Sequence, residues 1–192
     1  MKFYNSKGKH KTRIDGKKTK ACQLWENIKI RCTVLPKMNE SKFGKYSSVT
    51  VDERWLDFQN FAEWFSSVDY TEGWTLDKDV LGYNHYGEDS CVFLPDEINK
   101  ALSLKTRVRG DLPIGVSYHS KNKDMVDIQY DCKHKTFRFR TYTHISQMIN
   151  VWISKYKPAR EGYIRFLANK YRANLDVRAY NALCSYEVNL ED

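Results

Sequence analysis

Three short β-rich runs divided by two polar turns limit the folds open to this chain more than any other feature. Residues 115–118 (GVSY), 125–130 (MVDIQY) and 136–140 (TFRFR) are separated only by HSKNKD and DCKHK. Connections this short read as hairpins, because a parallel pairing would need a crossover of about a dozen residues. The third run alternates, with Phe137 and Phe139 on one face and Thr136, Arg138 and Arg140 on the other. The Phe face needs a cover, and the sequence that follows supplies one. After Thr143, whose hydroxyl suits an N-cap, Met148, Ile149, Trp152, Ile153 and Tyr156 recur at helical spacing and are read as inward. Pro158 kinks or breaks that helix. Further helices are expected over residues 159–172, on Tyr163, Phe166, Leu167 and Tyr171, and over 176–186, on Val177, Tyr180 and Leu183.

The first half is written in a different period. Cys22, Leu24, Trp25, Ile28 and Cys32 mark a helix over residues 21–32 that Pro36 closes. Trp55, Phe58, Phe61, Ala62 and Phe65 form one face of a second helix, with Trp64 beside it. Short strands are expected at SVTVD, WTLDKDVL and CVFLP, and a short helix from Asp96 to about residue 104. The change of style near residues 104–112 marks a domain boundary. The expected organisation is α+β: a flexible basic arm at 1–20, one domain at 21–106, and a second at 107–192 holding the sheet, its covering helix and further C-terminal helices.

Charge divides along the same lines. The formal net charge of +8 hides 13 basic and 3 acidic residues over 1–50, then 3 and 12 over 51–100, then 9 and 4 over 101–150. The arm residues Lys7, Lys9, Lys11, Arg13, Lys17 and Lys18 suit a phosphate backbone, where each contact releases counterions. Arg107 and Arg109 extend this basic character into the linker. No run approaches the roughly 18 apolar residues of a membrane span, and the N-terminus has no apolar signal region. The five cysteines are odd in number and form no C-x-x-C pair, which excludes a disulfide scaffold and a structural zinc site. These features describe an intracellular chain with a polyanionic partner.

The segment TLDKDVLGYNHYGEDSCVFLPDEINKAL resembles the phage-type HNH endonuclease module, from Leu76 to Asn99 without a gap. That module reads L-D-H-D-I-L, a Gly-Asn loop, Y-S-P-E-N-C, then F-V-P and a helix containing I-N. The upstream QLWENIKIRC and VDERWLDFQNFAEWF resemble its lead-in. The resemblance implies a ββα unit that hydrolyses phosphodiesters with one divalent ion and a histidine general base. Carried over by position, Asp77 falls on the metal ligand, Lys78 on the general base, Ser90 on the second metal position and Tyr83 on the loop asparagine. A lysine of ordinary pKa, about 10.4, is protonated at neutral pH and repels Mg²⁺, so the centre is degenerate. Asp77 and Asp79 remain as hard oxygen donors, and His85 is the nearby histidine open to service as a displaced base.

The second half resembles the DNA-binding domain of plant ethylene-response factors (the APETALA-two type) as it occurs in phage homing endonucleases. Gly115-Val116, the central strand, the third strand and the helix reaching Trp152 carry the likeness, and Glu161-Gly162-Tyr163-Ile164 and Tyr186-Glu187-Val188 match the tail of phage relatives. The resemblance implies a sheet that enters the major groove. Arg138 and Arg140 are then the base readers. Tyr118, His119, Lys121, Lys123, Lys133 and Lys135 flank the turns as phosphate contacts. The combined expectation is a sequence-specific binder of double-stranded DNA, derived from a mobile-element homing endonuclease and acting as a transcriptional repressor or site-blocking factor in the bacterial cytoplasm at the nucleoid. A homodimer is a further expectation. No cofactor is expected. The alternatives are an active nuclease, with Mg²⁺ held by Asp77, and a protein-interaction factor using the acidic HNH-like face.

Overall fold

Thr19 opens the first helix by accepting the Cys22 amide on its hydroxyl at 3.3 Å. In the computed structural model, which describes residues 1–38, 48–103 and 111–190, this helix is α1 (Lys20–Thr33), with Cys22, Leu24, Trp25 and Ile28 inward. The chain is mixed α+β and divides into two compact units, Met1–Leu94 and Pro95–Asp192. The boundary drawn from sequence at 106/107 lies outside the described residues.

In the first unit Asp57 caps α2 (Phe58–Ser67) by accepting the Gln59 amide at 3.1 Å. The core is aromatic. Trp25 meets Phe3 and Phe58 edge-on at 5.4 and 5.7 Å, and Trp55 meets Phe61 and Trp64 at 5.0 and 4.5 Å. The Trp25 indole N–H donates to the Trp55 carbonyl at 2.7 Å, which satisfies the one polar atom that ring buries. Trp64 is in the core, whereas Phe65 is half-buried against Tyr70 and Phe93.

Residues 1–20, expected as a flexible arm, are fixed instead. Phe3 is in the core. The Tyr4 amide donates to the Leu56 carbonyl at 2.9 Å, and the Tyr4 carbonyl accepts the Phe58 amide at 3.0 Å. The Ser6 amide donates to Asp57 and the His10 amide to Gln59, each at 3.0 Å. These anchors are backbone groups and one phenyl ring, so the polar composition concealed them. The segment ends in a hairpin of β1 (Arg13–Ile14) and β2 (Lys17–Lys18), turned at Asp15 and Gly16 with φ of 49° and 75°. Two successive positive φ values are what a tight primed turn requires.

Two small sheets complete this unit. β3 (Thr50–Val51) lies parallel to β5 (His85–Tyr86), and β4 (Thr75–Asp77) lies antiparallel to β6 (Val92–Leu94). The strand expected across residues 74–81 stops early because Asp77 Oδ1 accepts the Val80 amide at 2.8 Å and turns the chain.

The second unit begins with α3 (Asp96–Leu102) and contains the meander β7 (Val116–Tyr118), β8 (Met125–Tyr130) and β9 (Phe139–His144), antiparallel and in sequence order. One face buries Val116, Val126, Ile128 and Tyr130. Its cover is a helical run through α4 (Met148–Val151), a π turn at Trp152–Tyr156 and α5 (Lys157–Tyr171), followed by α6 (Val177–Cys184). Trp152 donates from its indole to the Ile114 carbonyl at 2.8 Å, and the Tyr156 ring meets Tyr130 at 5.6 Å. Pro158 follows directly after the π turn, in the first turn of α5, and the helical run continues through it. Ile149, Ile153 and Val177, expected inward, are exposed.

The third strand starts three residues later than expected. Phe137 leaves the sheet to pack in a turn against Tyr163 and Phe166, each at 5.9 Å. Thr141, Tyr142 and Thr143 then continue the strand with β-prone side chains. Thr143 is therefore a strand residue. His144 takes the capping role, its Nδ1 accepting the Ser146 amide at 3.3 Å.

Candidate nucleic-acid interface

The register of β9 decides which side chains face away from the helix. Gln129 pairs with Arg140, Asp127 with Tyr142 and Met125 with His144, while Ser117 pairs with Asp127 from the other side. Arg140, Tyr142 and His144 are exposed along one side of β9, and Phe139, Thr141 and Thr143 are half-buried along the other. The open face thus presents Ser117, Met125, Asp127, Gln129, Arg140, Tyr142 and His144.

Asp127 sits at the centre, with its side chain only 14% exposed. Its Oδ2 lies 3.1 Å from His119 Nδ1, and its Oδ1 lies 3.6 Å from the Arg140 guanidinium. The His119 ring lies 6.4 Å from that of Tyr142. The Asp127 carboxylate is thus at ion-pair distance from the guanidinium and within hydrogen-bond reach of the imidazole, which draws both side chains toward the middle of this face.

Several residues expected at this interface are placed differently. Arg138 lies outside the strand, 4.0 Å from Asp131. Tyr118 pairs with Val126, which puts it on the helix side of the sheet at its rim, with the Lys123 ammonium 5.6 Å from its ring. Lys121, Lys123, Lys133 and Lys135 are exposed in the two turns. Arg107 and Arg109 lie outside the described residues. Asp127, Gln129, Tyr142 and His144 escaped the sequence reading. The alternation of FRTYTH carries the signal for the last two, once Phe137 is assigned to the turn.

In the first unit Lys7, Lys9, Lys11, Arg13, Lys17 and Lys18 are all exposed. Lys9 pairs with Glu63 at 2.8 Å and Lys18 with Glu26 at 2.6 Å. Hydrogen bonds from Lys9 and His10 hold the Glu63 carboxyl below the usual carboxylate range.

The positions that the HNH resemblance singled out lie around β4 and β5. Lys78 is 5% exposed, and its ammonium donates to Asp79 Oδ1 at 2.5 Å and to Asn84 Oδ1 at 3.2 Å. Asn84 in turn donates to the Ser48 hydroxyl at 2.7 Å. His85 Nδ1 lies 2.8 Å from the Thr50 hydroxyl. Ser90 is buried, and its hydroxyl donates to the His85 carbonyl at 2.7 Å. Burial raises the Asp77 carboxyl above its ordinary range, against the lowering effect of the Val80 amide. This donor set does not fit a divalent ion. One carboxylate is shifted toward its protonated form, the adjacent side chain is a cation, and the serine is turned onto the backbone. Among the described residues, no group of three His, Cys, Asp or Glu side chains is arranged to hold a metal.

No known family profile, curated protein or solved structure matches this chain. Among the described residues, no helix is long and apolar enough to cross a membrane.

Proposed function

We propose that this protein binds double-stranded DNA through the open face of the β7–β8–β9 sheet and does not cleave it. The observation that carries this reading is the row Arg140, Tyr142 and His144 on β9, exposed opposite a face packed on a helix, with Asp127 between Arg140 and His119. A β-sheet edge or ribbon fits the major groove, where Arg bonds guanine bidentately and Gln bonds adenine, so Arg140 and Gln129 are assigned to base edges. Lys121, Lys123, Lys133 and Lys135 are assigned to phosphates, which set register without reading sequence. The resemblance to a phage homing endonuclease with an APETALA-two-type domain supports the same reading. The closed Lys78–Asp79–Asn84 and Ser90–His85 contacts support loss of hydrolysis. A protein that keeps recognition and lacks cleavage blocks its site, which makes repression the biological role.

The test is binding of the purified full chain to duplex pools, with selection of bound sites, in the presence of Mg²⁺ or Mn²⁺. The expected outcome is affinity that falls steeply with salt, enrichment of one site, and intact DNA. Failure to bind at about 50 mM salt overturns the DNA reading. Cleavage that Asp77→Ala abolishes establishes the nuclease alternative instead.

A further inference from the structure

The β1–β2 hairpin buries neither of its faces. Arg13, Ile14, Lys17 and Lys18 are all exposed. A two-stranded ribbon that packs on nothing is marginal in water, so this one depends on its base. There the Thr19 amide donates to the Thr12 carbonyl at 3.0 Å, and within the turn the Arg13 guanidinium donates to the Gly16 carbonyl at 2.7 Å. The hairpin is therefore held at its root, where Lys18 also pairs with Glu26 at 2.6 Å, while Ile14 and Lys17 beside the turn stay exposed. Ile14 is 58% exposed beside the turn and is the only aliphatic side chain between Asn5 and Lys20. Arg13 faces Lys18 across the ribbon and Ile14 faces Lys17, with Lys11 just before the first strand and Asp15 as the single acid in the turn. A β-branched apolar side chain more than half exposed among cations gains little from the fold.

We propose that this hairpin enters the minor groove of duplex DNA, with Ile14 wedged against a base step and Lys11 and Lys17 on the flanking phosphates. The inference rests on the DNA-binding reading above and adds a second, independent contact surface that bends its site. The chemistry is complementary on both counts. Cations along the ribbon replace the counterions of the backbone. An isoleucine offers base edges no hydrogen bond, but apolar wedges of this kind part stacked bases and kink the duplex toward the major groove.

The experiment uses the full chain and an end-labelled duplex of roughly 30 base pairs carrying a donor–acceptor pair, so that bending changes energy transfer wherever the protein sits. Anisotropy over about 50–200 mM salt gives affinity and its salt slope in the same samples. Lys11→Ala with Lys17→Ala is expected to lower the slope of log K against log salt by about 2, close to 0.9 for each lost phosphate contact. Ile14→Ala is expected to leave that slope unchanged and abolish most of the transfer change, and Ile14→Leu to retain it. If these variants bind and bend as the wild type does, the hairpin proposal falls while the DNA reading stands. If the wild type does not bind duplex at all, both fall. Ile14-dependent binding to phosphatidylserine vesicles, with DNA bending unaltered in Ile14→Ala, assigns the hairpin to a membrane surface and overturns the proposal.

Discussion

The Arg140 guanidinium lies 3.6 Å from the Asp127 carboxylate on the open face of the sheet, whereas Arg138, two residues earlier, lies outside the strand beside Asp131. The proposed DNA binding therefore gives the two arginines different roles. Arg140→Ala is expected to cost roughly 1–3 kcal/mol of discrimination at one base position of the selected site. Arg138→Ala is expected to weaken binding to all duplexes alike and to reduce the salt slope by about 1. Competition between the selected site and single-base variants, repeated at several salt concentrations, separates the two. Equal loss of discrimination in both variants would contradict the register of β9.

That register was only partly legible in the sequence. The number of strands, their order and the helical cover follow from short polar turns and from a switch in apolar period, both local signals. The start of β9 does not. Phe137 satisfies the alternation of a strand equally well, and what removes it from the sheet is Tyr163 and Phe166 on a helix more than twenty residues downstream. The fixed N-terminal segment was illegible for the same reason. Its anchors are backbone groups of Tyr4, Ser6 and His10, which meet Leu56, Phe58, Asp57 and Gln59 only after the chain has folded. Around Lys78 the residue types could be read from the sequence. The closing contacts could not, because Lys78–Asn84 and Ser90–His85 depend on the path of the loop.

Gly162 tests the displaced Phe137 directly. A Cβ at Gly162 would lie 2.9 Å from the Phe137 ring. In a helix interior alanine is favoured over glycine by about 1 kcal/mol, so two effects oppose each other. The ring is also confined by His134 and Phe166, and overpacking of this kind costs about 1–3 kcal/mol. Gly162→Ala is expected to destabilise the wild type and to stabilise the Phe137→Ala background by about 1 kcal/mol. Denaturant midpoints of the four proteins in the cycle report the reversal of sign.

Glu97 gives the second unit a defined acid sensitivity. Its carboxylate accepts Lys170 at 2.5 Å, the Tyr171 hydroxyl at 2.8 Å and the Tyr163 hydroxyl at 3.4 Å. The Lys170 contact is the main cause that holds its pKa below the usual glutamate value, against the opposing effect of burial. A carboxyl lowered on folding adds stability above its unfolded pKa, about 4.3, and loses that contribution as pH falls through the lower folded value. Glu97→Gln is therefore expected to cost about 1 kcal/mol at neutral pH, and the difference from wild type is expected to vanish in stronger acid. Stability curves of both proteins between neutral pH and about pH 3 measure it. A difference that persists unchanged into acid would mean that packing, and not the charge of Glu97, ties α3 to α5.

Thiol chemistry offers an independent check on the first unit. Burial pushes the Cys91 thiol up to about 12, and Cys32 up to about 11. Alkylation proceeds through the thiolate, so both are expected to resist iodoacetamide at pH 8 in the native protein and to react once it is unfolded. Mass spectrometry of peptides after native and denatured labelling distinguishes the cases. Rapid native labelling of Cys91 would show that the β4–β6 region opens far more readily than its burial implies.

Lys78 decides whether the carboxylates Asp77 and Asp79 can recruit a metal. If Mg²⁺ bound the folded chain with a dissociation constant near 1 mM, then about 10 mM metal would stabilise it by roughly 1.4 kcal/mol and raise the melting temperature by several degrees. The ammonium beside Asp77 and the raised carboxyl predict no such shift. The buried cation is also a poor source of stability. Its ion-pair partner Asp79 is 77% exposed, so removing Lys78 returns that carboxylate to water and leaves only Asn84 Oδ1 to be satisfied again. Lys78→Met, close in length and apolar, escapes the cost of burying a charge and is expected to change stability by less than about 1 kcal/mol. Lys78→Ala, which leaves a void, is expected to cost more, about 2 kcal/mol. A Met variant as damaged as the Ala variant would show that the ion pair itself holds the loop. A Met variant that gained a Mg²⁺-dependent melting shift would show that Lys78 is what excludes the metal.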